Sequence, residues 1–376
     1  MTTPDVLVVG GGVVGLATAR ELRLAGCTVA MVEAEFAGAG STGAAMGHVV
    51  VMDDTPAQVT FCRDSRARWI AWFDGGGMPS TAEHDPCGTL WLAATDREWA
   101  AAGQKVRTLQ QAGIRAELLD AEALAAAEPA LKRGLVGAMR VPDDLVCYPP
   151  AIARALAEEL VGMGVRWIDR RVVGLEPGAA RLNDGTRLGA GSIVLAAGAQ
   201  TAALVPGLPL VPRRGHLVIT DRTPLRVHHQ LVELGYLDSA HSLGGTSIAF
   251  NVQPRRTGQL LVGSSRELVG FDPVINHDLV GRMLSRAVDF VPGLARVPAS
   301  RTWIGFRPAT PDALPLIGPW PALPGTWIAT GHEGLGITMA PTTAALIRAG
   351  ITGSRPPIDP TPYLPDRIMP AQDHAA

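Results

Sequence analysis

The sequence predicts an α/β fold of two interleaved domains, one built on a parallel sheet and a smaller one on an antiparallel sheet. Three observations carry this expectation. A β-branched run near the N-terminus leads through a glycine-rich turn into helical spacing. Two more apolar strands, one mid-chain and one near residue 330, also end on glycine-rich turns. The stretches between them contain period-two alternation, and no change of composition marks a linker.

The first unit is the most explicit. Val6–Val9 has the composition of a buried parallel strand. Gly10-Gly11-Gly12-Val13-Val14-Gly15 comes next and fits G-x-G-x-x-G. Apolar residues at Leu16, Ala19, Leu22 and Ala25 keep helical spacing until Gly26, and a second strand, Thr28–Val32, ends on Glu33. Gly10 permits the tight turn, Gly12 lets the backbone approach a pyrophosphate, and Gly15 lets the helix lie close on the sheet. The helix N-terminus offers N–H groups to phosphates, and Glu33 stands where a carboxylate accepts ribose hydroxyls. A lone G-x-G-x-x-G is weak, but here strand, turn, helix, strand and acid come in order, which points to a dinucleotide.

Composition removes other classes. The chain has 376 residues, 33 Lys and Arg against 35 Asp and Glu, and a net charge of −2 with the signs mixed. Such a balance has no electrostatic footprint for nucleic acid and no polybasic membrane patch. Cys27, Cys62, Cys87 and Cys147 are scattered, so no local zinc or iron–sulfur motif exists and no metal is expected. The apolar N-terminus lacks a basic n-region and is interrupted by glycines, and no run of about 18 apolar residues occurs. A cytoplasmic protein without a membrane span is expected.

The segments after Glu33 narrow the choice of cofactor. The small-residue loop Gly38–Gly47 can run beneath a cofactor extending past its pyrophosphate. Ser192–Ala197 reads as a strand ending Ala196-Ala197-Gly198-Ala199. Trp327–Thr330 leads into Gly331-His332-Glu333-Gly334-Leu335-Gly336, which opens a helix to about Ala349. That third turn aims a helix N-terminus at the carboxyl edge of the sheet, where a reduced flavin carries negative charge; an ordinary turn before a packing helix is the other reading. The middle of the chain supplies no second G-x-G-x-x-G, so the hydride donor is expected to be the substrate rather than a pyridine nucleotide. These features indicate FAD.

Together with Gly305–Gly318 (GFRPATPDALPLIG), these segments resemble the D-amino-acid oxidase-like family of FAD-dependent oxidoreductases, which includes glycine and sarcosine oxidases. The resemblance covers nearly the whole chain. Glu233–Leu237, Gln253-Pro254-Arg255, Gly258–Arg266 and Gly331–Thr338 are nearest to the β subunits of heteromeric D-hydroxyproline dehydrogenase, opine oxidase and hydrogen cyanide synthase. It implies a glutathione reductase-like Rossmann domain over 1–79, 140–206 and 301–376, and a substrate domain over 80–139 and 207–300.

Cofactor contacts are expected from Gly10, Gly12, Val13, Val14 and Gly15, from Glu33 and Ala34, and from Ser41, Thr42, Met46, Gly47 and His48. Val172, Ala197 and Gly198 join them mid-chain, then Arg307, Gly331, His332, Gly334, Leu335, Gly336, Ile337 and Thr338. By the same resemblance, Arg307 binds a substrate carboxylate through its planar fork, and a structural ion pair between domains is the alternative. In Ser247–Gln253, Ile248, Phe250 and Val252 alternate on one face and Ala249, Asn251 and Gln253 on the other. Asn251 stands where the family often carries a carboxylate-binding tyrosine, so this sequence departs from the pattern. Tyr236 is a candidate for closing the pocket. His48, His332 and Glu333 stand lower, each either at the flavin or structural. Trp69 and Trp72 read as core, and the Pro-rich stretch Ser354–Pro370 as an extended surface segment.

The reaction implied is oxidation of a C–N bond in a small amino or imino acid, D-hydroxyproline-, proline- or opine-like. Hydride transfer to flavin N5 gives an imine that water hydrolyses, and no residue compels a dedicated base. With no iron–sulfur ligands in the chain, a dehydrogenase needs partner subunits as its electron relay. A stand-alone glycine- or sarcosine-type oxidase using oxygen, and a flavin-bearing electron-transfer or structural subunit without a substrate site, remain as alternatives.

Overall fold

The computed structural model describes residues 3–52, 55–235 and 245–368. Its central element is a six-stranded sheet in the order Leu316–Pro319, Thr326–Thr330, Ser192–Leu195, Val6–Val9, Val29–Glu33 and Arg166–Asp169. Every pair is parallel except Leu316–Pro319 with Thr326–Thr330. The strands expected at Val6, Thr28, Ser192 and Trp327 are all present, within one or two residues at their ends. Helix Val13–Leu24 packs on one face with helices Pro149–Gly162 and Gly336–Thr352, and Pro56–Asp74 lies against the last of these. Strands Val172–Glu176, Ala179–Leu182 and Arg187–Gly189 form a small sheet whose apolar side chains cover the other face.

Eight strands make the second sheet, in the order Ala299–Ala309, Val211–Thr220, Leu260–Arg266, Ser247–Pro254, Gln230–Glu233, Thr89–Ala93, Gly137–Val141 and Glu117–Asp120. It is antiparallel apart from the parallel pair Gln230–Glu233 with Thr89–Ala93. The period-two reading of Ser247–Gln253 assigns its faces correctly. Phe250 and Val252 are buried with Ile248 against helix His277–Phe290, and Phe250 stacks on Phe290 at 4.4 Å. Asn251 and Gln253 face the opposite way. The expected domain limits at 140 and 301 fall inside strands Gly137–Val141 and Ala299–Ala309 of this sheet.

Loop Gly38–Gly47 lies between the two sheets and is fastened to the second at three points. The Ser41 hydroxyl donates to the Phe306 carbonyl (2.5 Å), the Trp303 indole N–H to the Ala44 carbonyl (3.2 Å), and the Gln253 amide to the Met46 carbonyl (3.0 Å). Among the described residues the four cysteines form no disulfide. Among the described residues, no cluster of side chains could hold a metal, and no helix is long and apolar enough to cross a membrane.

The end of the chain corrects one expectation. Residues 354–368 are not simply an extended surface segment: they form short helical turns at Thr361–Tyr363 and Pro365–Ile368. Tyr363 is buried, meets Phe61 edge-on at 4.8 Å, and donates its hydroxyl to the Ala57 carbonyl at 2.7 Å. One aromatic anchor thus holds a proline-rich strap that has no regular backbone pairing of its own.

Helix Gly336–Thr352 contains Pro341, which has no N–H to donate to the carbonyl of Ile337 one turn earlier. Trp69 replaces the missing donor: its indole N–H reaches the Ile337 carbonyl at 2.8 Å. Trp69 is fully buried and stacks on Trp72 at 5.2 Å, in keeping with its reading as core. Trp69→Phe keeps the ring stacking but orphans a buried carbonyl, so a loss of about 1–3 kcal/mol is expected in urea unfolding of the FAD-loaded protein. Adding Pro341→Ala restores a backbone donor and should recover part of that loss; equal stabilities of wild type and Trp69→Phe would refute the compensation.

Candidate active site

A cavity of about 780 Å³ runs between the two sheets along the carboxyl ends of the parallel strands. At one end lie Glu33, Ala34 and Val172. Its middle passes Gly10, Gly12, Val13 and Val14, with Ser41 and Thr42 opposite and Ala197 and Gly198 beside them. Its far end is lined by Met46, Gly47, His48, Asn251, Arg307, His332, Gly334, Gly336 and Ile337. Of the residues expected there, Gly15, Gly331, Leu335 and Thr338 do not line the cavity. Gly15 lies beneath it and Leu335 packs on the core. The Thr338 hydroxyl accepts from Val50 N–H (3.2 Å) and donates to the His48 carbonyl (3.0 Å), which ties the helix to the loop beneath the cavity. Tyr236 lies outside the described residues.

The first turn behaves as its spacing implies. Gly10 has φ of +110°, and a Cβ there would meet the Ala196 carbonyl oxygen at 2.5 Å. A Cβ on Gly15 would collide with the Gly10 carbonyl, so helix and strand approach backbone to backbone. The Glu33 carboxylate accepts N–H bonds from Gly11 (2.6 Å) and Glu35 (2.9 Å), which fixes it at the end of its strand. Thr42 Oγ1 accepts from Val13 N–H (3.0 Å) and brings the small-residue loop against the helix N-terminus.

Cationic side chains gather at the far end. Arg307 stands opposite Arg213 on adjacent antiparallel strands. Its Nη1 donates to the Ser265 carbonyl at 2.9 Å, and its guanidinium occupies the space a side chain at Gly215 would need. Glu333 adopts φ of +46° and places Oε1 3.2 Å from Arg266 Nε and 3.6 Å from Arg213 Nη1. Burial pushes the Glu333 carboxyl up, but Arg266, Arg307, Arg213 and the Gly334 N–H hold it down to about 2. Arg213 and Arg266 escaped the sequence reading. The alternation Arg213, Gly215, Leu217 along a strand paired with Arg307 was the available signal.

The two histidines differ in what they face. His332 turns Nε2 inward to Thr343 Oγ1 at 2.9 Å, while the Thr343 hydroxyl donates to the Met339 carbonyl. The histidine is therefore the donor, neutral and protonated on Nε2. Among the described residues, buried His48 Nε2 has no hydrogen-bond partner, and neither does Asn251 Oδ1. Both residues line the cavity. Two orphaned polar atoms, a backbone cradle at Gly10–Val14 and a carboxylate at the ribose position together fit FAD lying along the cavity.

Burial pushes both imidazoles down to about 3, with Gln253 opposing the shift at His48. In the unfolded chain each titrates near 6.5, so between pH 6.5 and 3 the unfolded chain binds the extra protons. Their contribution to stability is complete above pH 6.5 and is lost on acidification, by up to about 1.4 kcal/mol per pH unit for each histidine. Urea midpoints should fall between pH 7 and 5, and His332→Gln should flatten that slope. An unchanged slope would mean that His332 is not buried as a neutral ring.

A family model described as FAD dependent oxidoreductase (DAO) matches residues 5–349. The chain is 30% identical to glycine oxidase of Pseudomonas aeruginosa, over 96% of this chain and 98% of that one. It is 33% identical to the bifunctional protein ThiO/ThiG of Nostoc sp., over 92% of this chain, and spans only about half (52%) of that relative's length. Hydrogen cyanide synthase subunit HcnC of Pseudomonas aeruginosa is 30% identical over 67% of this chain and 60% of its own. Among solved structures, glycine oxidase from Geobacillus kaustophilus superposes with a TM-score of 0.88 at 25% identity, covering 98% of this chain and 100% of that one. The chain belongs to the DAO family of FAD-dependent oxidoreductases, enzymes such as glycine oxidase that act on CH–NH groups, and FAD is its cofactor.

Proposed function

We propose that this chain oxidises the C–N bond of a small amino or imino acid held by its carboxylate on Arg307, and that it passes the electrons to partner subunits. The observation that carries the substrate reading is the placement of Arg307 at the far end of the cavity. Its guanidinium lies flat over Gly215 and is anchored to the Ser265 carbonyl. A planar fork fixed in this way presents a bidentate surface to a carboxylate, which lysine cannot do.

FAD, held along Gly10–Val14 and Glu33, would supply the hydride-accepting, two-electron chemistry. The chain's own residues orient and exclude. Arg307 would fix the carboxylate and so orient the substrate in the cavity that Gly336 also lines. Leu217 and Met46 line the same cavity and keep water from it. Asn251 offers an acceptor, Oδ1, with no other partner among the described residues, and we assign it to a polar group of substrate or cofactor. Burial holds His48 and His332 down to about 3, so both are neutral at physiological pH and weak as proton acceptors. The substrate nitrogen therefore loses its proton to solvent before oxidation, with no dedicated base.

The naming of HcnC as a subunit of hydrogen cyanide synthase supports a relay through partners. A second reading, direct oxidation by oxygen, is supported by the match to glycine oxidase along 98% of its length. Oxygen uptake with stoichiometric peroxide by the isolated chain would establish the second; turnover only with an artificial acceptor would establish the first.

The substrate class is tested by anaerobic mixing of the FAD-loaded protein with proline derivatives, opines, glycine and sarcosine while the flavin's visible band is followed. Bleaching by one class is expected. No bleaching by any, with a flavin still reducible by dithionite, would overturn the reading. Arg307→Lys should lower kcat/KM by about ten- to a hundredfold, from the loss of roughly 1.5–3 kcal/mol of charged hydrogen bonding. An unchanged kcat/KM in a flavin-loaded Arg307→Lys protein would remove Arg307 from the site.

A further inference from the structure

We propose that Glu333 is a specificity-determining residue that receives the protonated nitrogen of the substrate, so that Glu333 and Arg307 together select a zwitterion; this rests on the amino-acid reading above. Both residues line the far end of one cavity. The Glu333 side chain is 18% exposed, whereas Arg213 and Arg266, at 6% and 5%, lie behind it and are not part of the cavity wall. What the cavity meets beside Arg307 is therefore an anion, backed by cations.

The carboxylate is also fixed. Oε1 lies against Arg266 Nε (3.2 Å) and Arg213 Nη1 (3.6 Å), and Oε2 accepts the Gly334 N–H at 2.5 Å. Held at both oxygens, it does not swing to follow Arg307. A Cβ on Gly334 would lie 3.8 Å from Arg307 Cδ and Nε, so the residue after Glu333 faces the arginine stem, and the Arg307 charge is one of those that hold the Glu333 carboxyl down. Each carboxylate oxygen has two acceptor directions, and among the described residues Oε2 accepts only the Gly334 N–H.

The backbone at Glu333 adds a second, independent observation. Its φ of +46° is left-handed, a conformation that glycine takes without steric cost, yet a side chain stands here between Gly331 and Gly334. Such outliers persist where the surroundings over-determine them, and they gather at functional sites. A simple amino acid offers an anionic carboxylate to Arg307 and a cationic nitrogen to Glu333. A 2-hydroxy acid brings no cation, and a second carboxylate on the nitrogen side would face like charge.

The competing account is that Glu333 only neutralises Arg213 and Arg266. The two are separated with 2-aminoisobutyrate, an amino acid with no α-hydrogen to lose, and isobutyrate, its analogue without nitrogen. Binding of each to the FAD-loaded full chain at pH 7 is read from the perturbation of the flavin's visible band. Wild type should bind 2-aminoisobutyrate roughly tenfold tighter than isobutyrate or more, as expected for one charge-assisted hydrogen bond. In Glu333→Gln that preference should fall to about twofold or less, with isobutyrate bound as well as before or better, because an anion has left the site.

Parallel weakening of both ligands in Glu333→Gln would overturn the proposal and leave the amino-acid reading standing. If Glu333→Gln does not load FAD, wild type alone decides, since the absence of any preference for the amine there overturns the proposal. Binding of neither ligand by wild type would overturn the amino-acid reading itself, and the role of Glu333 with it.

Discussion

The architecture depends on a backbone-to-backbone contact at the end of the first strand. Gly10, Gly15 and Ala196 meet so closely that a Cβ on either glycine would strike a carbonyl oxygen. This contact lets helix Val13–Leu24 lie close to the sheet and brings strand Ser192–Leu195 alongside Val6–Val9. The N-terminus of the helix then opens on the same edge as the turn at Ala197–Gly198. A dinucleotide lies across that edge only if no side chain stands between, so the constraint that packs the fold also clears the path for the cofactor.

At the other end of the cavity, helix Gly336–Thr352 does the corresponding work, although its sequence is a poor helix former. Pro341 removes a backbone donor in its second turn, and the first turn carries no acidic residue. Tertiary contacts make up the difference. Trp69 satisfies the Ile337 carbonyl, Ser65 Oγ accepts from Thr342 N–H (3.3 Å), and Asp64 accepts from the Thr342 hydroxyl (2.6 Å). All three partners come from helix Pro56–Asp74, which is thereby committed to supporting the floor of the site. An aromatic residue that reads as plain core from its sequence is thus also a hydrogen-bonding prop for a functional helix.

Much of this was legible in the sequence because it is local. The first βαβ unit is dictated by glycine spacing and apolar periodicity, and the alternation of Ile248, Phe250 and Val252 assigned the faces of their strand. The placement of Arg307 at the cavity came from a motif rather than from any spacing rule. What stayed hidden is the set of long-range pairings. Nothing near Arg213 or Arg266 in the chain announces Glu333, since their meeting requires the sheet pairing that brings residues 213, 266 and 307 to one end. The docking of Tyr363 on Phe61 was likewise invisible, because proline-rich composition reports the absence of regular pairing and says nothing of a single anchoring side chain. His332 lines the cavity, but its ring direction depends on Thr343, eleven residues on, whose own proton is committed to Met339.

The electrostatics of the cavity bear on what kind of catalyst this chain can be. Among the described residues at the far end, His48 and His332 are neutral because burial removes the water an imidazolium needs, and Glu333 is ionised because Arg266, Arg307 and Arg213 surround it. None of these three groups changes charge near neutrality. In the proposed reaction such groups would fix where charges sit and leave the ionisation of the substrate nitrogen to the substrate's own pKa and to the field around it. An anion beside the nitrogen favours the protonated form in the resting complex, which strengthens recognition but opposes the deprotonation that oxidation requires. Recognition and rate thus pull in opposite directions on one carboxylate. Where the balance falls is set by how far Arg266 and Arg213 draw charge density back from the cavity. In the role proposed for Glu333, the buried arginines behind it would therefore set how strongly a single acid holds the nitrogen without trapping it.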